Sequence, residues 1–164
     1  MEEDILENWR IKVPWQEFRS RYLWTLDVND VFSVNIFGLQ KLYNRHQTIH
    51  KTWLEYGEAK DMFTLETCLI VDYNFKVCYG YSKMTCLDES NNYTQHMRMQ
   101  FVEFLELIGR VAVCYWDVHR EVLAEVPLAK KIEFVLDKIL PLVKQRRNEV
   151  SFAVESDSVT DEDY

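Results

Sequence analysis

The chain has 164 residues, of which 48% are apolar and 14% aromatic, enough to build one packed domain with appendages. Only four glycines and three prolines are present, which favours helices over a turn-rich β-sandwich. The net charge is −8 and no basic stripe occurs, which argues against nucleic acid and membrane surfaces as partners. No apolar run approaches about 18 residues and the acidic start is unlike a signal peptide, so we expect a cytoplasmic protein with reduced cysteines.

Two helices are predicted in the first 45 residues. Pro14 is suited to the first position of a helix. An aromatic stripe follows it at helical spacing, and residues 1–28 are therefore predicted to form an N-terminal amphipathic helix. Asn29 or Asp30 is a candidate N-cap for a second helix that runs to about Arg45. The stripe consists of Trp15, Phe18, Tyr22 and Leu26.

The middle of the chain has a weaker pattern. Residues 46–61 lose their periodicity and include a glycine, so a loop or a poorly formed turn of helix is expected there. Met62–Tyr73 begins a new element with Thr64 as a candidate N-cap, and its Leu-Ile-Val run fits a helix or a strand. A helix is predicted over Phe75–Met84, followed by a polar loop.

The strongest pattern in the chain is the long amphipathic helix predicted over Met99–Tyr115. Glu106 and Arg110 lie four residues apart with the acid first, which supports a helix. Together with Glu103, Glu106 is expected on a solvated face. The apolar stripe consists of Phe101, Phe104, Leu105, Ile108, Val111, Ala112 and Tyr115.

A further amphipathic helix is predicted in residues 119–147, where Pro127 begins the helical pattern. Residues 148–164 are acidic and polar, and a disordered tail is expected there. Ser158 and Thr160 precede acidic residues and resemble sites of acidophilic kinases, although a merely solubilising tail fits equally well. The apolar face of the helix includes Ile132, Val135, Leu136 and Ile139.

One internal echo has a family resemblance. Met62-Phe-Thr-Leu-Glu66 and Met99-Gln-Phe-Val-Glu103 share an apolar–x–x–x–Glu pattern at the start of a helix, 37 residues apart. Two such units resemble a pair of EF-hands of the calmodulin-like superfamily. The resemblance implies an all-α fold in which residues 29–118 form two helix–loop–helix units. It further implies a short two-stranded bridge through Met62 and Met99, with Glu66 and Glu103 in the position of the bidentate calcium ligand.

The loops themselves depart from a calcium-binding pattern. By the same resemblance, the early ligand positions of the second loop are Asn92, Thr94 and His96, and those of the first are Glu55, Gly57 and Ala59. A calcium ion requires about six to eight converging oxygen ligands, and these residues supply too few carboxylates. We therefore predict no metal and no cofactor. If calcium binds after all, Glu66, Glu103 and Asn92 are its expected ligands.

No catalytic signature is present. His46 and His50 are four residues apart, but a metalloprotease helix has a glutamate after the first histidine, where this chain has Gln47. Cys114 lies in an apolar helix pattern, unlike the exposed, electropositive site of a nucleophilic cysteine. We therefore predict a protein that is not an enzyme.

The function predicted from these features is a protein-interaction or structural module, a scaffold or adaptor subunit of a larger assembly. A cytoskeletal or ciliary assembly is suggested by analogy alone. The alternative is a calcium sensor that binds a target helix in its groove. The groove is predicted to consist of Phe101, Phe104, Leu105, Ile108 and Val111. It would be filled by a partner protein, or by the chain's own docking helix with Ile132, Val135, Leu136 and Ile139.

Overall fold

The computed structural model of the chain describes residues 18–47, 53–83 and 97–143, and most of these residues are helical. The elements are α1 (Phe18–Leu23), α2 (Leu26–Val34), α3 (Ile36–Arg45), β1 (Leu54–Glu55), α4 (Tyr56–Asp61), α5 (Met62–Glu66), α6 (Asp72–Ser82), β2 (Arg98–Met99), α7 (Phe101–Val118) and α8 (Leu128–Ile139). The all-α prediction is confirmed. None of the helices in these three ranges is long and apolar enough to cross a membrane.

The N-terminal region is more broken than its aromatic stripe predicts. Residues 1–17 lie outside the described ranges, and α1 is a short turn of the wide π type. A π-type turn carries more residues per turn than an α-helix, so the buried side moves from Tyr22, which is 48% exposed, to Leu23, which is fully buried. Thr25 caps α2, since its hydroxyl accepts a hydrogen bond from the Val28 N–H; the caps predicted at Asn29 and Asp30 are therefore wrong.

The stretch over residues 46–61, predicted as a loop or a poorly formed turn of helix, contains β1 and the six-residue helix α4. Thr64 does not begin a helix, because α4 continues into α5 and the Thr64 hydroxyl donates to the Lys60 carbonyl at 2.7 Å. The Leu-Ile-Val run is neither helix nor strand. Leu69 and Ile70 are buried in the connection between α5 and α6.

The two short strands form an antiparallel pair in which Leu54 lies opposite Met99 and Glu55 opposite Arg98. The prediction that Met62 forms the bridge with Met99 is wrong, because Met62 lies fully buried at the start of α5. The repeat that the structure contains is Leu54–x–x–x–Glu58 and Met99–x–x–x–Glu103. The first copy of the apolar–x–x–x–Glu pattern therefore lies eight residues earlier in the sequence than predicted, and Glu58 rather than Glu66 corresponds to Glu103.

Helix α7 lies at the centre of the core, with α6 and α8 as its main neighbours and α1 across it. Gly109 permits the approach of α1, because a Cβ atom at this position would lie 2.6 Å from Cδ1 of Leu23. The helix is buried on nearly all sides. The prediction of a solvated face is therefore wrong, since Glu103 and Glu106 are both fully buried.

Candidate functional site at the two-stranded bridge

Each strand of the bridge leads directly into a helix whose first turn is closed by a glutamate. Oε1 of Glu58 accepts the backbone N–H of Glu55 at 2.9 Å, and Oε1 of Glu103 accepts the backbone N–H of Gln100 at 2.9 Å. A carboxylate at this position satisfies an N–H that the helix leaves unpaired and interacts favourably with the helix dipole. The two glutamates are thus equivalent in sequence spacing and in backbone contact.

Glu103 has a second, charged partner in Lys83. The Lys83 ammonium lies 2.9 Å from Oε1 of Glu103, and both side chains are at most 1% exposed. The same ammonium also donates to the backbone carbonyl of Arg98, the first residue of β2. Lys83 is the residue directly after α6. A buried ion pair thus connects the end of α6 to the bridge and to the first turn of α7.

Tyr43 connects α3 to the bridge. Its hydroxyl donates to the Met99 carbonyl at 2.6 Å. Burial, together with the nearby charge of Glu103, raises the pKa of Tyr43 to about 12, although a backbone hydrogen bond at Leu54 opposes this rise. The phenol therefore remains a hydrogen-bond donor at neutral pH.

A cation–π contact joins Arg98 of β2 to Trp53, the residue directly before β1. The guanidinium of Arg98 lies 4.1 Å from the ring centroid of Trp53, a cation–π contact across the two strands. Trp53 also donates its indole N–H to Glu55 at 3.2 Å. The side chain of Arg98 is thereby held on Trp53, while its carbonyl contacts Lys83.

A second buried charge cluster lies further along α7. Glu106 pairs with Arg110 at 3.2 Å on its own helix and, through both carboxylate oxygens, with Arg19 of α1. The Arg110 guanidinium also lies 4.4 Å from the ring centroid of Phe18. Burial lowers the pKa of Arg110 from its usual value, and the charge of Glu106 opposes this shift. The cluster fastens α1 to α7.

The two described residues that were predicted as calcium ligands, Glu66 and Glu103, have different partners, and that of Glu103 is Lys83. Glu66 contacts His46 instead, with 3.2 Å between its Oε2 and Nε2 of the histidine. Asn92 lies outside the described residues, as do the second histidine of the predicted pair, His50, and the predicted phosphorylation sites Ser158 and Thr160. Within residues 18–47, 53–83 and 97–143, no three or more His, Cys, Asp or Glu side chains are grouped as a metal ion would require.

The residues of the predicted groove and of the predicted docking helix belong to one apolar core. On α7, Phe101 is half-buried and Phe104, Leu105, Ile108 and Val111 are buried; on α8, Ile132, Val135, Leu136 and Ile139 are buried. Phe134 of α8 packs on Tyr115 and Trp116 of α7, with ring centroids 5.0 and 5.3 Å apart. Helix α8 packs along α7 at Tyr115 and Trp116, whereas the groove residue Phe104 packs on Tyr43 of α3 and Phe63 of α5. The predicted groove is therefore buried within the chain, in part by helices other than α8.

The cysteines of the helical core are unsuited to nucleophilic chemistry. Cys78 and Cys114 are buried on α6 and α7. A hydrogen bond with Cys114, together with burial, raises the pKa of the Cys78 thiol well above its usual value. A thiol held in this way is rarely ionised, so its contribution lies in packing.

Sequence reasoning missed Glu58 and Lys83. The apolar–x–x–x–Glu pattern of Leu54–Glu58 was visible, but it lay in a stretch without helical periodicity. For Lys83 no local signal existed, since its partners are 15 and 20 residues away.

Comparison of the chain with protein-family models, with curated proteins and with solved structures finds no match.

Proposed function

We propose that the chain is a non-catalytic, calcium-independent interaction module built on an EF-hand-like pair. Two features support the EF-hand-like frame. The strands β1 and β2, each followed by a helix, form an antiparallel bridge at Leu54 and Met99, and each of these two residues is followed four positions later by a glutamate. In an EF-hand the bridge residue is the eighth of the loop and the bidentate glutamate is the twelfth, which is the same spacing.

The observation that carries the proposal is the position of α8 on α7. In a calcium sensor, ion binding opens the helix pair and exposes an apolar groove for a target helix. Here α8 packs along α7, and the groove residue Phe104 is buried against Tyr43 of α3 and Phe63 of α5. Helices of the same chain compete for this surface at a high effective concentration. In the described part of the pair this apolar surface is already buried, and a partner is expected to bind elsewhere.

A shallow cavity of about 350 Å³ between α2 and α8 suits such a partner. Its lining combines three carboxylates with apolar side chains, which favours a segment of another protein that carries both lysine or arginine and apolar residues. The exposed Val34 extends the apolar part of the lining to the surface. The lining residues are Asp30, Val31, Val34, Asn35, Glu133, Leu136 and Asp137.

Calcium independence is tested by titrating the wild-type protein with calcium chloride in a calorimeter. We expect no heat of binding up to about 1 mM and no change in Tm between calcium and a chelator, because Glu58 is occupied by a backbone N–H and Glu103 by the Lys83 ammonium. Binding with a Kd below about 0.1 mM and a raised Tm would contradict the proposal and favour the calcium sensor.

The partner surface is tested by reversing charge in the cavity. The variant Glu133→Lys/Asp137→Lys should bind a cationic amphipathic peptide of leucine and lysine at least about 10-fold more weakly than the wild type does. The matched control is Asp61→Lys/Glu121→Lys, which changes the net charge equally at exposed residues away from the cavity. Equal weakening in both variants, measured by fluorescence anisotropy, would show attraction to net charge only and would exclude this surface.

A further inference from the structure

We propose that the Lys83 ammonium is a built-in cation of the second loop and lies where an EF-hand holds its calcium ion. This inference rests on the EF-hand-like frame of the proposed function. It explains how the two calcium-ligand groups can be held together without a metal ion. The site of the Lys83 ammonium is made of the Arg98 carbonyl and the Glu103 carboxylate. If the lysine side chain is removed, a small organic cation of the same shape should bind in its place.

The loop positions follow from the bridge. With Met99 as the eighth residue, Arg98 is the seventh and Glu103 the twelfth. An EF-hand binds calcium through the backbone carbonyl of the seventh residue and the carboxylate of the twelfth. The Lys83 ammonium contacts these same two groups, the Arg98 carbonyl and Oε1 of Glu103. One positive charge therefore bridges the two ligands that a calcium ion would bridge.

The surroundings of the ammonium are those of a closed cation site. Lys83 and Glu103 are both buried, and the charged side chain of Arg98 points away onto Trp53. A single carboxylate balances a single ammonium, whereas a divalent ion would need further anionic oxygens. A bound calcium ion dissociates when the calcium concentration falls. The Lys83 ammonium cannot dissociate, because it is covalently attached to the chain at the end of α6. The end of α6, β2 and the first turn of α7 are therefore held together by a cation that is always present.

The test is chemical rescue of Lys83→Ala. This variant removes the three methylenes and the ammonium that together correspond to n-propylammonium, and it takes the Lys83 charge away from the buried carboxylate of Glu103. We expect Tm to fall by about 10 °C. At 100 mM, n-propylammonium chloride should raise the Tm of the variant by about 4 °C more than it raises that of the wild type. Neutral 1-propanol should give no such difference.

Two controls separate a cation site from simple packing. In Lys83→Ala/Glu103→Gln the rescue should disappear, because the anionic ligand is gone. In Lys131→Ala it should be absent, because the partner Glu125 is 74% exposed and solvated. Rescue of Lys83→Ala by propanol as strongly as by n-propylammonium, or no rescue by either, would overturn the inference. Both experiments are done without calcium, so their outcome is independent of the calcium titration that tests the proposed function.

A measurement on the wild-type protein covers the case in which Lys83→Ala does not fold. We expect the ammonium protons of Lys83 to exchange slowly enough for detection by ¹⁵N-edited NMR at pH 6, because they are buried and hydrogen-bonded. The exposed Lys41 serves as the control and should exchange too fast to be seen. Equal exchange at the two lysines would contradict a closed site.

Discussion

Replacing Phe104 by alanine is expected to lower the free energy of unfolding by about 3–5 kcal/mol. The side chain is fully buried on α7, and its ring lies between Tyr43 of α3 and Phe63 of α5, with centroids 5.7 and 6.4 Å away. Truncation removes the contacts of the ring and leaves a cavity that three separate elements surround, so collapse can fill it only in part. Urea unfolding followed by circular dichroism measures the change.

Phe37→Ala is the matched control, because Phe37 is 78% exposed at the start of α3. The same truncation there should cost less than about 0.5 kcal/mol. A loss below about 1 kcal/mol for Phe104→Ala would contradict its position in the core. It would instead support the alternative in which this face of α7 is an interface that a partner covers.

The helices α7 and α8 were predictable because each carries its own evidence in local spacing. Phe104, Ile108 and Val111 recur at helical intervals, and Pro127 stands directly before the first residue of α8. This spacing does not reveal on how many sides a helix is buried. Glu106 and Arg110 fit a helix pair at i, i+4, but whether such a pair faces water depends on α1, which the periodicity of α7 does not reveal.

The register of the bridge was beyond local analysis for a different reason. A strand of two residues has no periodicity of its own, and its partner lies on the other side of α6. Met62 and Leu54 both have a glutamate four positions later, and only pairing with Met99 distinguishes them. The same limit applies to Lys83, since a lysine in sequence is an ordinary surface residue until a buried carboxylate from another element meets it.

Replacing Glu106 by alanine is expected to cost about 3–5 kcal/mol of unfolding free energy, for an electrostatic rather than a packing reason. Glu106 is fully buried between Arg19 and Arg110, so its removal leaves two guanidinium groups close together without their shared counter-charge. Burial already lowers the pKa of Arg110, which indicates an environment unfavourable to an uncompensated cation. Urea unfolding measures the loss, with Glu133→Ala as the exposed control expected to cost less than about 1 kcal/mol.

A triple variant tests whether uncompensated charge is the cause. Arg19→Met/Glu106→Leu/Arg110→Met removes every charge of the cluster and keeps its approximate volume, so it should recover most of the stability lost in Glu106→Ala. Salt provides a second criterion. About 1 M sodium chloride should reduce the contribution of the exposed Lys130–Glu133 pair to stability and leave that of the buried cluster unchanged. If the triple variant were as unstable as Glu106→Ala, the shape of the cluster rather than its charge would be what fastens α1 to α7. In that case the glutamate would act as a spacer, and Glu106→Gln should be nearly as stable as the wild type.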